Sequence, residues 1–426
     1  KRNSKIPVRL VKGAYWDTEI KHAQEQGHSE YPVFTRKVNT DVSYLACARY
    51  MLEAADVFYP QFATHNARTL ATIYAMADGH TGYEFQRLHG MGDNLYNEII
   101  TDEKMSIPCR IYAPVGRYKD LLPYLVRRLL ENGANTSFVN SIEDENIPIE
   151  VLIADPALRV ASLADKPHPS IVLPKNLYAI GRENSSGINF YDIDALTHLA
   201  EGLVLAKQQH WLALPIVNGV KMVGNEIDLF SPANNHHQIG KVVYASVEQM
   251  QQALAGAQAA AWAWNTRDID ERVNIINQAS DLMNEHRAEL AAMIISEGGR
   301  TVVDAMSEIR EAIDFCRYYA SRAKGEFGSP MDLPGPTGEQ NVLSGPTGEK
   351  NIYQLHGRGV FVCISPWNFP LAIFVGQVVA ALAAGNTVLA KPASQTPLVA
   401  MRAVELLHQA GVPGEVLHFL PVPGKV

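Results

Sequence analysis

The chain has 426 residues, 47% of them hydrophobic and 19% charged, which at roughly 150 residues per domain suggests two or three globular domains. Its 37 Lys+Arg against 45 Asp+Glu give a formal charge of −8 with no basic block, a poor balance for dedicated nucleic-acid binding. The four cysteines, Cys47, Cys109, Cys316 and Cys363, are scattered; they form neither a disulfide framework nor metal-ligand spacing and read as reduced thiols of a cytosolic protein.

The chain opens on Lys1-Arg2-Asn3-Ser4-Lys5 and enters an apolar run at once, with no presequence pattern ahead of it. Both ends read as cut, so the expectation is an internal piece of something larger. The first 140 residues repeat one unit, a β-rich run followed by an amphipathic helix. The runs are 6–11, 57–63, 83–88 and 110–114; the helical patterns are 40–55, 67–77, 93–102 and 119–132. This alternation implies parallel strands joined by right-handed crossovers. Each run meets polar residues at its C-terminal end, at Lys12, Thr64-His65-Asn66, His89 and Gly116-Arg117, where a βα barrel keeps its chemistry. Four units are half of what a closed (β/α)8 barrel needs.

Gly133 closes the last of these helices as a C-cap glycine. Glu143-Asp144-Glu145-Asn146 and the prolines Pro148, Pro156, Pro167, Pro169 and Pro174 then mark a connector over 141–176. From 177 onward, helical patterns cover 192–206, 247–261, 269–286 and 302–324, and the alanines of 253–261 suggest a closely packed helix. GPTGEQN at 335–341 recurs as GPTGEKN at 345–351; this reads as a surface loop with a small duplication. The last segment is again β/α, with a buried strand at 359–364, a strand ending in a charge at 386–391, and helices at 371–384 and 397–411. The apolar stretch 371–384 is too short to span a bilayer and reads as a core helix.

Two clusters could carry chemistry in the first block. Arg9 and Lys12 flank the first strand end; cations there could neutralise an anion developing on a reduced flavin, bind a phosphate, or be plain surface charges. Tyr124, Arg127, Arg128 and Glu131 share one helix face, opposite Leu122, Leu125, Val126 and Leu129. Paired arginines suit bidentate capture of a small carboxylate, and the competing reading is a solvated pair bonded to Glu131. Tyr112, at the preceding strand end, could close the pocket over an apolar ring.

In order and in register, VRLVKGAYWD (8–17), FATHN (62–66), YEFQRLHGM (83–91), RIYAPVG (110–116) and YLVRRLLENGANTSF (124–138) resemble the proline dehydrogenase part of the bifunctional proline utilization A enzymes. The resemblance implies a distorted barrel holding FAD. It implies Arg9 near flavin N5 and Lys12 near the N1 edge, with Val11, Gly13, Ala14, Tyr15 and Trp16 lining the cofactor. Thr35, Arg36 and Lys37 would approach its adenosine half. Thr64, His65 and Asn66, with Gln86, Arg87, Leu88 and Glu131, would complete the cofactor set. Arg127 and Arg128 would bind the proline carboxylate, with Tyr112, Tyr124 and Leu88 packing the substrate.

CISPWNFPLAIF (363–374), AALAAGNTVLAKPA (380–393) and QTPL (395–398) resemble the aldehyde dehydrogenase superfamily, closely the glutamate-semialdehyde dehydrogenase half of the same enzymes. That resemblance implies Asn368 as a catalytic side-chain donor to an oxyanion. Ile364, Ser365, Pro366 and Trp367 would line the NAD groove, and Lys391 would bond the adenosine ribose. Ser394 stands where the family usually has Glu, so ribose binding is expected to be weaker or differently arranged. The family's nucleophilic Cys and general-base Glu lie beyond these motifs; Cys363 precedes them inside a strand and reads as packing.

The fold expected is therefore α/β: the C-terminal half of a (β/α)8 flavin barrel at 1–140, a connector at 141–176, and the N-terminal part of an aldehyde dehydrogenase Rossmann-like domain at 177–426. The implied function is FAD-dependent oxidation of L-proline to pyrroline-5-carboxylate, with electrons passing to membrane quinone, then NAD-dependent oxidation of glutamate semialdehyde, with the intermediate channelled between the sites. The implied setting is a cytoplasmic homo-oligomer that touches the inner face of the cell membrane. DNA binding would need an N-terminal arm outside this sequence. The rivals are a stand-alone aldehyde dehydrogenase fused to an unrelated barrel, and a piece with only a regulatory DNA-binding or membrane-docking role. The 426-residue piece alone is expected to have neither activity.

Overall fold

The computed structural model describes residues 4–13, 15–101, 107–133, 148–178, 181–333 and 351–424, which divide into two units: Lys1–Ala23 with Tyr31–Val172, and Gln24–Glu30 with Leu173–Val426. The first unit follows the predicted alternation, with β1 (Ile6–Leu10), α1 (Trp16–Gln26, its last three residues counted with the second unit), α2 (Lys37–Glu53), β2 (Phe58–Ala63) and α3 (Ala67–Ala77). Then come β3 (Glu84–Leu88), α4 (Asp93–Thr101), β4 (Cys109–Tyr112), α5 (Tyr118–Gly133), α6 (Ile149–Ile153) and α7 (Pro156–Ala161). The strands pair in chain order, β1-β2-β3-β4, all parallel, as short βα crossovers require. Among the described residues this is an open four-stranded sheet.

Side chains alternate across a strand, and here the two faces differ in kind. Phe62, Tyr83 and Phe85 face the helices and, with Tyr44, Ile73 and Tyr96, form the core of this unit. Their rings meet edge to face at 5.5–5.6 Å, the arrangement that the ring quadrupoles favour. The opposite face is polar. The register sets Arg9 beside Gln61, Gln61 beside Glu84, Gln86 beside Arg110 and Leu88 beside Tyr112.

The second unit opens with a 3-10 turn at Pro174–Asn176, followed by α8 (Ile193–Lys207), β5 (Trp211–Ala213), β6 (Ile216–Val217), β7 (Val220–Lys221), β8 (Glu226–Ser231) and β9 (Asn234–Val243). Four helices follow: α9 (Val247–Asn265), α10 (Ile269–Glu285), α11 (Arg287–Gly298) and α12 (Val302–Phe327). Then come β10 (Met331–Asp332), β11 (Ile352–Tyr353), β12 (Val360–Ile364), α13 (Ala372–Ala383), β13 (Thr387–Lys391), α14 (Pro397–Gln409) and β14 (Leu417–Phe419). The main sheet has the order β12-β13-β14-β6-β7, with β12, β13 and β14 parallel and β6 antiparallel to β14. Asn218-Gly219, both at positive φ, join β6 to β7 in the two-residue turn that hairpins favour.

The stretch 371–384 is a core helix as expected: in α13, Phe374, Val375, Val378, Val379 and Leu382 are all fully buried. The alanine-rich stretch packs along one face only, for Ala253 and Ala257 are buried while Leu254 and Trp262 are exposed. Features not anticipated include α1, α6, α7, α11, the β6–β7 hairpin, the β10–β11 pair, β14 and the three-stranded sheet β5-β9-β8, and β12, expected to be buried, leaves Phe361, Val362 and Ile364 exposed along its open edge. The repeat at 335–351 lies outside the described residues, except Asn351.

Candidate functional site

On the polar face of β1–β4, a buried carboxylate organises the strand ends. Glu84 is 2% exposed. It accepts hydrogen bonds from Gln61 Nε2 (2.8 Å), Gln86 Nε2 (2.7 Å), Tyr59 Oη (3.4 Å), and Arg110 Nε and Nη2 (2.7 and 2.8 Å). The Arg110 guanidinium, in front of the two glutamine donors, holds its carboxyl down at about 2 against the cost of burial. With its amide nitrogen committed to Glu84, Gln86 turns its oxygen outward and accepts from Arg9 Nε at 2.7 Å. A carboxylate only accepts and a guanidinium only donates, so both neighbours dictate the same amide orientation. Arg9 in turn lies over the Tyr112 ring at 4.7 Å. The structure thus brings together Arg9, Gln86 and Tyr112, three predicted site residues from three strands.

Lys12, just past β1, is held differently. Its Nζ meets Asp41 Oδ1 at 2.5 Å and Thr69 Oγ1 at 3.5 Å and sits over the Tyr44 ring at 5.3 Å. Burial lowers its pKa from the usual amine value, and Asp41 pulls the other way. The loop after β2 is fixed from several sides. Tyr96 Oη donates to the Thr64 carbonyl at 2.5 Å, and Asn66 Oδ1 caps α3 by accepting from Thr69 N at 3.0 Å. His65 Nε2 accepts from Leu88 N at 3.3 Å. Tyr15 and Trp16 are about half exposed, at 48% and 42%, and Trp16 Nε1 donates to the Phe34 carbonyl at 2.7 Å, next to Thr35–Lys37. Val11 and Gly13 are exposed at the same strand end.

Other predicted residues lie at the edge of this cluster or away from it. Arg87 points to the helix side of β3, where it pairs with Asp93 at 2.6 Å and donates to the Met91 carbonyl at 3.1 Å. Thr35 Oγ1 accepts from His168 N at 2.9 Å, Arg36 Nε donates to Pro167 O at 2.8 Å, and Lys37 pairs with Asp41 at 3.4 Å. Leu88 is buried beside Tyr112, and Tyr124 is half-buried on α5. Leu122, Leu125 and Val126, on the apolar face of that helix, are 44–48% exposed. Arg127, Arg128 and Glu131 belong to α5, but their side chains lie outside the described residues, as does Ala14.

In the second unit the candidate groove runs along the C-terminal ends of β12 and β13, where open α/β sheets receive ligands. Ile364 and Lys391 are register partners at those ends, and Ser365 N donates to the Lys391 carbonyl at 3.2 Å. Ile364 (61%) and Trp367 (57%) are exposed, Pro366 and Ser394 are partly so, and Ser365 is buried. Lys391 Nζ donates to Pro392 O at 3.1 Å, and burial lowers its pKa. Asn368 is exposed, and its carbonyl accepts from Arg300 Nη1 at 3.0 Å. Cys363 is buried on β12, where burial pushes its thiol up to about 11, consistent with packing and unlike an activated nucleophile.

Reading by motif overlooked Glu84, Asp41, Arg300 and Glu308. Only Glu84 carried a usable signal, since it stands two residues before Gln86 on the same strand face. Among the described residues, no group of three or more His, Cys, Asp or Glu could hold a metal ion. Among the same residues, no helix is long and apolar enough to cross a membrane.

Comparison with known proteins gives two family matches, proline dehydrogenase over residues 1–141 and the aldehyde dehydrogenase family over residues 220–426. The bifunctional protein PutA of Escherichia coli (strain K12) is 46% identical over 433 residues, covering 99% of this chain and 31% of that protein. A crystal structure of a Bradyrhizobium japonicum proline utilization A mutant superposes with a TM-score of 0.84 at 45% identity, covering 99% of this chain and 39% of that one. The 1-pyrroline-5-carboxylate dehydrogenase of Anoxybacillus flavithermus is 37% identical over 228 residues, covering 53% of this chain and 42% of that protein. The chain spans about a third of the length of the PutA proteins it matches.

Proposed function

We propose, for a chain that belongs to the bifunctional proline utilization A family over 99% of its length, that the whole protein oxidises proline to glutamate at two sites. The observation that carries this reading is the order of the two family matches on one chain, proline dehydrogenase first and aldehyde dehydrogenase second. It also disfavours an aldehyde dehydrogenase fused to an unrelated barrel.

The residues of the first unit fit FAD. The sheet offers a polar face with a fixed guanidinium, a partly desolvated amine at Lys12 and exposed aromatic rings at Tyr15 and Trp16. Arg9, Lys12, Gln86, His65 and residues 11–16 would hold the flavin, and Thr35–Lys37 would approach the adenosine half. A flavin held there would supply the hydride acceptor for the proline ring carbon next to nitrogen, the nitrogen proton leaving as pyrroline-5-carboxylate forms. Arg127 and Arg128 would anchor the proline carboxylate and Tyr112 would cover the ring, so that binding energy fixes the reacting carbon in place. Arg9 and Lys12 supply positive charge where negative charge develops.

The second unit fits NAD: an exposed apolar wall of Ile364 and Trp367 stands beside the Lys391 amine at a parallel strand end. NAD⁺ held there would supply the two-electron oxidant for glutamate semialdehyde, the hydrolysis product of pyrroline-5-carboxylate, taking up the hydride lost from the aldehyde carbon, while water would supply the second carboxylate oxygen of glutamate. Asn368 would donate its amide to the oxyanion of the aldehyde adduct, and Lys391 would bond the ribose, with Ser394 too short to reinforce it as a glutamate would. Electrons from the first site would leave to membrane quinone by peripheral contact at the inner face of the cell membrane, and homo-oligomerisation with channelling of the intermediate completes the reading.

The test uses the full-length protein. Arg127→Met with Arg128→Met is expected to raise KM for proline in dye-linked assays while leaving NAD⁺-dependent aldehyde oxidation unchanged. Asn368→Ala is expected to do the reverse, lowering kcat for NADH formation alone. Loss of both activities in each variant, or of neither, would contradict two separate sites. For channelling, a trap for free pyrroline-5-carboxylate should leave most proline-driven NADH formation intact, and complete suppression would count against it.

A further inference from the structure

The candidate oxyanion donor sits in a loop that is tied down from outside. The helix after it, α13, begins at Ala372, and its N-cap residue Leu371 supplies no side-chain acceptor. The first N–H groups of a helix have no partner within it, and leaving them buried and unmet is costly. A glutamate from another helix meets that need. Glu308 of α12, whose side chain is fully buried, accepts from Leu371 N at 2.8 Å and from Ala372 N at 3.3 Å through Oε1. Its other oxygen faces Arg300 Nε at 4.0 Å. Arg300 is the residue whose Nη1 donates to the Asn368 carbonyl at 3.0 Å, and its guanidinium lies over the Phe369 ring at 4.7 Å. One ion pair therefore grips both ends of 368–372: Arg300 holds the carbonyl of Asn368, and Glu308 holds the start of the helix.

We infer that Arg300 and Glu308 are positioning residues for Asn368, fixing its backbone so that the side-chain amide is already in place when the oxyanion forms. The inference rests on the reading of Asn368 as the oxyanion donor. An exposed asparagine in an untied loop would have to be ordered during the reaction, and a donor lowers the barrier most when it needs no such reorganisation. A misplacement of about 1 Å can cost roughly 10²-fold in rate. The grip acts through the backbone and leaves the amide of Asn368 out of the Arg300–Glu308 contacts.

The experiment compares Asn368→Ala, Arg300→Met, Arg300→Lys, Glu308→Gln and the Arg300→Met/Asn368→Ala pair in the full-length protein. The readouts are kcat and KM for NAD⁺-dependent aldehyde oxidation, with proline-dependent dye reduction and NAD⁺ affinity as checks that each unit is folded. Arg300→Met is expected to lower kcat by about 10²-fold, with KM for the aldehyde within roughly twofold. Arg300→Lys should recover part of that loss. Added to Asn368→Ala, Arg300→Met should cost nothing more, because residues that act through one group are non-additive. If Arg300→Met fails the folding checks, Glu308→Gln, which keeps an acceptor for the helix N–H groups but drops the charge facing Arg300, carries the same prediction with a smaller loss. Full kcat in both Arg300→Met and Glu308→Gln, or losses that multiply with Asn368→Ala, would overturn the inference while leaving the oxyanion reading standing. Full kcat in Asn368→Ala would overturn both.

Discussion

Glu84 in the first unit and Glu297 in the second are both buried carboxylates, at 2% and 4% exposure, yet their protons move in opposite directions. Glu84 faces Arg110 and is held at about 2. Glu297 meets only backbone N–H groups, accepting from Leu398 at 2.9 Å and Val399 at 2.7 Å. Burial, opposed only by those bonds, lifts it to about 8. Burial penalises the charge in both places; at Glu84 the Arg110 guanidinium, helped by the Gln86 and Gln61 amides, outweighs it, whereas at Glu297 two backbone N–H groups do not and the nearby Glu308 adds to it. The contrast extends to what each carboxylate organises. Glu84 aligns side chains along a sheet and through Gln86 orients Arg9. Glu297 and Glu308 cap helices whose own N-cap residues, Thr396 and Leu371, provide no side-chain bond.

The largest expected effect is at Glu84. Removing one partner of a buried charge network typically costs about 3–5 kcal/mol, so Glu84→Ala should destabilise the first unit by about 3 kcal/mol in denaturant unfolding, Arg110 being exposed enough to rehydrate. A change below about 1 kcal/mol would mean that the network is decorative. Glu297→Ala should cost about 2 kcal/mol in the second unit, read as faster amide exchange at Leu398 and Val399, because two helix N–H groups lose their acceptor inside the core. Exchange confined to other helices would break the capping account. Tyr96→Phe, which removes the bond to the Thr64 carbonyl, should cost about 1 kcal/mol and loosen the loop after β2.

The comparison also has a pH form. The folded-state pKa of Glu84 lies below its ordinary carboxylate value of 4.5. Its contribution is present above that value and is lost as pH falls from 4.5 toward about 2. The folded-state pKa of Glu297 lies above that same value, so its contribution is present below 4.5 and is lost as pH rises toward about 8. Glu84→Gln should flatten the first unit's loss of stability below pH 4.5, and Glu297→Gln the second unit's loss between pH 4.5 and about 8. Identical profiles in wild type and variants would remove the contrast.

Much of the fold was legible because it is written in local pattern. The four β-runs and the helices between them, the core helix α13 and the strand ends bearing Lys12 and Lys391 all follow from apolar spacing and terminal polar residues. What escaped lacks that signature. Helix α1, WDTEIKHAQEQ, has few apolar positions to show a period. Helix α11 starts at Arg287, immediately after His286, the residue that ends α10, so no turn separates the two in sequence. Strand β9 opens with Asn234-Asn235-His236-His237, residues that read as loop; Asn234 pairs with Ser231 and Gln238 with Phe230 of β8 across an irregular register. The candidate site divides in the same way. Arg9, Gln86, Tyr112 and Asn368 stand in recognisable strings. The groups that position them do so across the chain: Arg300 lies 68 residues from Asn368 and Glu308 lies 63 from Leu371. No local spacing announces such partners.

The central claim is that two oxidations share one polypeptide. Single-turnover mixing of the full-length protein with limiting L-proline and excess NAD⁺, under anaerobic conditions, tests it most directly. The expected result is loss of the flavin absorbance band followed by NADH in an amount equal to the flavin reduced. Flavin reduction without NADH, or no spectral change with proline at all, would contradict it.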